Sequence, residues 1–224
     1  MKQIVKHLTV FLLTSILHAG PPMMTDDPFT PDIHRFEVNV GFELEKSNQW
    51  KVVVPIIDVN YGISSNLQFT VERASILMDN KYNSDGVEIA LKYHFYENDF
   101  FNIAIYPKYH FYLTDTSYNE GETYSLLLPM SLNLTNNLDL TTSVSYINSK
   151  KEGSAFEIGS YLSYRIKNQT YFFETYLEEE SNVLNLGYFY QYKENMGLMF
   201  SIGQERDSLQ EQTNLSYVGL QVTF

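Results

Sequence analysis

The chain has 224 residues, with 27 acidic and 15 basic side chains, a formal net charge of −12 and no cysteine. Without cysteine there can be no disulfide framework, thiolate nucleophile or cysteine metal site, and the acidic surplus opposes general nucleic-acid binding, which needs a basic surface. The length suits one domain or one barrel. An apolar content of 44% fits a soluble domain and an outer-membrane barrel equally, because barrels carry their membrane signal as alternation.

Residues 1–19 begin with Lys2 and Lys6, run through an apolar stretch from Leu8 to Leu17 and end on Ala19. This pattern predicts a secretory signal peptide, with a buried N-terminal helix as the alternative. The stretch is short for a membrane span, and no later segment holds 18 consecutive apolar residues, so no transmembrane helix is expected. Residues 20–33 carry four prolines, the pair Asp26-Asp27 and no alternation. They are expected to form either a periplasmic tail or a plug inside a lumen.

From residue 34 to 224 the sequence alternates with a period of two. In Arg35–Lys46 the residues Phe36, Val38, Val40, Phe42 and Leu44 share one face, and Glu37, Asn39, Gly41 and Glu43 share the other. A strand sends successive side chains to opposite sides, so one face is oily and one polar. The pattern recurs in twelve stretches, near 35–46, 51–62, 66–78, 86–96, 100–113, 123–134, 138–148, 154–166, 170–178, 183–192, 196–204 and 213–224. The second is apolar on both faces around Pro55; Pro55, Pro107 and Pro129 predict bulges or late strand starts, because proline cannot donate to a ladder.

The connections alternate in character. Those after the second, fourth, sixth, eighth and tenth stretches are tight, whereas 79–85, 115–122 and 205–212 are longer and charged. Aromatic residues sort likewise: Tyr61, Phe95, Phe101, Tyr171, Tyr190, Tyr192 and Phe224 fall beside short turns, and Tyr109, Phe111, Tyr124 and Tyr146 toward the longer loops. Short turns on one side, loops on the other and two aromatic belts predict an all-β chain. Its expected form is a transmembrane antiparallel barrel of about twelve strands, of outer-membrane type, over residues 34–224. Closure follows because unpaired backbone groups in lipid cost several kcal/mol each. The alternative is a soluble β-sandwich with its aromatics in a core. Export to the outer membrane of a Gram-negative bacterium follows from the signal and the barrel.

The opening Gly20-Pro21-Pro22-Met23-Met24-Thr25-Asp26-Asp27-Pro28 resembles the Gly-Pro-Pro…Thr-Asp-Asp-Pro start of an outer-membrane family labelled for a meta-pathway of phenol degradation. The stretches Asn60–Gln68, Val87–Phe95 and Gly121–Pro129 are similar too. Met23 stands where that family usually has an aromatic. The resemblance implies a barrel channel whose solutes include aromatic or other hydrophobic compounds.

Parity assigns Glu37, Glu43, Asp58, Glu72, Glu88, Asp139, Glu157, Glu174 and Glu178 to the lumen, against Lys92, Lys108 and Arg165. A narrow pore so lined would favour cations. Alternatively the charges pair into a network that braces the barrel, with Glu72, Glu88, Lys92 and Lys108 as its core. His94 and His110 also point inward. With a serine they suggest an outer-membrane lipid hydrolase, and with Glu88 a metal site, but satisfied lumen histidines are the plainer reading. Asp26-Asp27 reads as a solvated turn rather than a Ca²⁺ loop.

Taken together, these features predict a passive channel for uptake or efflux of small solutes, and no enzyme, metal site or cofactor. The competing readings are a lipid hydrolase and a sealed structural or adhesion barrel. The expected partners are outer-membrane lipids, a small-molecule solute and the barrel-insertion machinery, whose recognition signal is the alternating C-terminus ending in Phe224; nucleic acid is not among them.

Overall fold

The computed structural model of the protein describes residues 23–47, 50–78, 81–113, 122–151, 153–209 and 211–224. The signal-peptide stretch, Gly20, Pro21 and Pro22, and nearly all of the loop at 115–122 lie outside the described residues. Twelve strands follow in chain order: β1 (Phe36–Lys46), β2 (Trp50–Ser64), β3 (Leu67–Met78), β4 (Lys81–Glu97), β5 (Phe101–Tyr112), β6 (Thr123–Thr135), β7 (Leu138–Ser149), β8 (Gly153–Ile166), β9 (Gln169–Leu177), β10 (Ser181–Lys193), β11 (Met196–Asp207) and β12 (Gln212–Thr223). Each strand pairs antiparallel with its chain neighbours. β1 pairs with β12, from Glu37 opposite Thr223 to Lys46 opposite Asn214, so the sheet closes into a barrel without an edge. A sandwich is thereby excluded.

The alternation becomes two surfaces. On β10, Leu184 and Leu186 are 57% and 55% exposed, whereas Val183 and Asn185 between and beside them are 1% and 6% exposed. The outward face is oily all round the barrel, and the inward face carries the polar side chains. Aromatic rings gather at both ends of the outer face. Beside the tight turns, Phe36 meets Tyr61 with centroids 4.6 Å apart and Tyr96 meets Phe101 at 6.0 Å. At the other end Tyr109 stacks on Tyr124 at 4.8 Å and Tyr146 meets Phe156 at 5.2 Å. Chain entry and exit lie together at the tight-turn end, where Phe36 and Phe224 exchange backbone hydrogen bonds of 3.3 and 2.9 Å.

Pro55 acts as expected: the β2–β3 register shifts between Val53 and Ile56. At Pro107 and Pro129 the expected bulge or late start is corrected. Both lie inside their strands, and the β4–β5 and β5–β6 ladders skip positions beside them but resume in the same register, because the missing donor costs a ladder bond without adding a residue. Two loop expectations are corrected. The polar stretch at 79–85 is mostly strand, because β4 starts at Lys81 and extends the hairpin with β3. Likewise the 205–212 connection shrinks as β11 runs on to Asp207 and β12 begins at Gln212. Polar strand ends without alternation look like loops in sequence, yet their ladders persist beyond the oily band.

Candidate functional site

Residues 23–33 enter the space enclosed by the strands. They add no strand to the sheet, and they are held by side chains of the inner wall. Glu174 on β9 is fully buried and accepts the backbone N–H groups of Met24 (3.2 Å) and Thr25 (2.7 Å) as well as the Asn185 amide (3.1 Å). A carboxylate that receives three N–H donors satisfies its lone pairs without a cation. Further on, Thr30 donates to the Ser65 carbonyl at 3.4 Å, and the His34 N–H donates to the Gly62 carbonyl at 2.7 Å. Two glycines let the segment approach the wall. A Cβ at Gly159 would overlap the Thr25 hydroxyl, and one at Gly62 would overlap the carbonyls of Pro31 and Asp32.

Between these two anchor points the segment meets the cations of β4 and β5. Lys108 lies 3.0 Å from Asp26 and 3.3 Å from Glu88. Lys92 lies 3.6 Å from Asp27 and donates to the Phe29 carbonyl at 3.2 Å. Both ammonium groups sit over the Tyr106 ring, 4.8 Å and 4.7 Å from its centroid. The Tyr106 hydroxyl donates to Thr70 at 3.1 Å, and the Phe29 ring meets His94 edge-on at 6.2 Å. The expectation of a solvated Asp26-Asp27 turn is therefore overturned: Asp27 is 4% exposed. Charge on the wall, invisible from the local sequence, draws the pair inside. The bracing network is also reassigned. Glu88 and Lys108 do pair, but Lys92 turns to Asp27, and Glu72 stands beside Glu88 in the β3–β4 register rather than beside a cation.

The remaining inward candidates fall into three groups. On β1–β3, Asn39 donates to Glu37 (3.3 Å) and to Asp58 (3.0 Å), and Asn60 donates to Asp58 (2.7 Å). On β7–β9, Asp139 lies 3.7 Å from Arg165, and Glu157 accepts the Tyr176 hydroxyl. His110 packs edge-on to Tyr112 at 4.7 Å. Among the described residues, no group of three or more His, Asp or Glu is arranged to hold a metal ion.

The segment divides the interior. Toward the longer connections lies a cavity of about 440 Å³, lined by Asp26, Glu43, Glu45, Asp58, Glu72, Glu178 and Glu205, with Lys51 as the only lysine or arginine on its wall among the described residues. Lys51 itself pairs with Glu45 at 2.6 Å. Burial and the neighbouring Glu157 and Glu205 push the Glu178 carboxyl above its ordinary range, partly offset by a hydrogen bond from Ser181. Toward the tight turns lies a smaller cavity of about 50 Å³, beside Asp27, Phe29, Asp139 and Arg165. Sequence reading missed the inward aromatics: Tyr106, Tyr161, Phe172, Tyr176 and Phe189. Parity could have found them, since Tyr106 is in step with Asn102, Ala104 and Lys108.

No protein-family model and no curated protein sequence matches the chain. Solved structures do. The KdgM porin, solved in complex with disordered oligogalacturonate, is 16% identical over 84% of this chain and 99% of that one, with a TM-score of 0.64. An outer membrane channel from Pseudomonas putida F1 is 9% identical over 90% of this chain and 100% of that one, with a TM-score of 0.66. The CymD monoaromatic hydrocarbon channel is 8% identical over 86% and 89%, with a TM-score of 0.54. At these identities the likeness is one of fold. The chain has the closed antiparallel architecture of outer-membrane channels and porins, and the family resemblance rests on the sequence stretches Gly20–Pro28, Asn60–Gln68, Val87–Phe95 and Gly121–Pro129.

Proposed function

We propose that the protein is an outer-membrane channel through which small solutes pass passively, with residues 23–33 narrowing its lumen. The observation that carries this reading is the inversion of surfaces: a closed barrel with an oily outside, aromatic rings at both rims and a polar, partly open interior. In water an apolar belt of that extent would drive association; in hydrocarbon it is the required exterior. Solved barrels of this shape include channels and porins, one for monoaromatic hydrocarbons and one seen with oligogalacturonate, beside the translocator domain of an autotransporter. The first of these agrees with the hydrophobic or aromatic solutes that the Gly20–Pro28 resemblance implies. His94 and His110 point into the lumen, away from lipid, which favours a channel over a lipid hydrolase.

Two finer features belong to this proposal. The outer cavity, with seven carboxylates on its wall, focuses a negative potential and favours cations at that mouth. The tethered segment lowers conductance without contributing a strand. Refolded protein in planar bilayers tests both. The expected result is a small cation-preferring conductance that rises severalfold when residues 23–31 are deleted. A second reading, a sealed barrel, is favoured by the small free space beneath the segment, and zero conductance in both proteins would establish it.

A further inference from the structure

We propose that Lys92, Tyr106 and Lys108 form a carboxylate-binding clamp of this channel, and that Asp26 and Asp27 occupy it in place of a solute bearing two carboxylates. The inference rests on the channel reading and names the chemistry of what the channel takes.

Three observations lead there. First, the clamp is a built site. Two ammonium groups sit over one aromatic ring, at 4.8 Å and 4.7 Å from its centroid. The Tyr106 hydroxyl is fixed by its hydrogen bond to Thr70, and the Lys92 side chain is only 7% exposed. A shared ring gathers both cations at one place on the wall, where two linked anions can meet them together.

Second, the clamp holds carboxylates now: Asp26 at 3.0 Å from Lys108 and Asp27 at 3.6 Å from Lys92. These contacts are of a kind that a dissolved carboxylate reproduces atom for atom.

Third, the polar contacts of the segment differ along its length. Gly159 receives Thr25 and Gly62 receives Pro31 and Asp32 by close approach, and Glu174 binds the backbone of Met24 and Thr25. Over Asp26–Phe29, where Asp27 and Pro28 are buried, the contacts with the wall include the two ion pairs, the Lys92 bond to the Phe29 carbonyl and the Phe29–His94 ring contact. The two ion pairs are the contacts there that a dissolved dicarboxylate can take over. Glu88 keeps a hold on Lys108 at 3.3 Å, so Lys92 contributes the larger share of discrimination. The carboxylates of the outer cavity repel a free dianion, so the clamp is reached more readily from the tight-turn mouth, where Arg165 stands.

The experiment is calorimetric titration of the refolded full chain in detergent with isophthalate, using benzoate as the one-carboxylate control. The Asp26→Ala/Asp27→Ala variant removes the resident carboxylates, leaving Lys108 with Glu88 alone and Lys92 without its carboxylate. It should bind isophthalate at least about tenfold more tightly than wild type does, because an uncompensated buried charge is costly. It should also prefer isophthalate to benzoate, and adding Lys92→Gln should abolish that preference while heat-modifiable mobility shows the barrel intact. Equal isophthalate affinity in wild type and the double-alanine variant would overturn the clamp, as would binding indifferent to Lys92→Gln. The outcomes separate from the channel reading: a conducting barrel that fails the titration loses only the clamp, and a non-conducting barrel that passes it keeps a dicarboxylate site without a channel.

Discussion

The two halves of the lumen are built from one strand pattern and behave differently. Toward the longer connections, inward positions of β1–β3 and β11, with Glu178 between β9 and β10 and Asp26 of the segment, hold carboxylates around about 440 Å³ of open space. On β4 and β5 the same inward positions hold Lys92, Tyr106 and Lys108, and the N-terminal segment fills the room before them. Alternation decides only which way a side chain points. What stands at the inward positions, and whether the chain itself can satisfy it, decides whether the space is open or filled.

Removing the acceptor that ties down the segment gives the largest effect. Glu174→Ala strands the N–H groups of Met24 and Thr25, at about 1–3 kcal/mol for each buried donor left unpaired. Amide exchange at Met24 and Thr25 should then accelerate by about 10²-fold, since each 1.4 kcal/mol is a factor of ten in the opening equilibrium. Unchanged exchange would show that the segment is held by something other than Glu174.

A smaller effect is expected where the segment leans on glycine. Gly159→Val should destabilise the barrel by about 1–3 kcal/mol through overpacking against Thr25 and Tyr176, read as a lower denaturant midpoint. Deleting residues 23–31 should abolish most of that penalty on the Thr25 side; a penalty that survives in full would belong to Tyr176 alone.

The open half is sharpened by pH. The Glu178 carboxyl sits above its ordinary range, chiefly through burial, so its folded form holds a proton that the unfolded form releases. Its ionisation therefore opposes folding above that window, and acidification through the raised value removes this penalty. The same protonation strips negative charge from the outer cavity. Cation preference should fall as pH drops through the range just above ordinary carboxylates, and Glu178→Gln should blunt that fall. A pH profile identical in wild type and variant would remove Glu178 from the selectivity.

The smallest effect is at the outer rim. Lys150 and Glu122 pair at 2.6 Å with both side chains exposed, where such pairs contribute little. Glu122→Gln should leave stability and conductance unchanged by the same assays, and a clear loss would mean that the rim takes part in the pore.

The strands were legible in the sequence because an oily outer face and a polar inner face impose a period of two on every one of them. Even the irregularity around Pro55 could be read, since a missing donor shows in the residue type. The lumen was legible in direction only. Glu174 could be placed inward but not recognised as the acceptor for Met24 and Thr25, because its partners lie about 150 residues away. Asp26 and Asp27 carry no periodicity, so local reading left them in solvent. Tyr106 was hidden by its own type, since aromatics on a barrel are first assigned to the rims.

The central claim is that every second residue of a strand meets lipid. Because the chain has no cysteine, single-cysteine variants report one position each. Along β1, Val38, Val40 and Phe42 face outward, whereas Glu43 and Glu45 face inward onto the outer cavity. Cysteine at the outward positions should be quenched by a lipid-phase probe and resist a water-soluble thiol reagent, and cysteine at Glu43 and Glu45 should do the reverse. Equal reaction of both sets with the water-soluble reagent would contradict the membrane barrel itself.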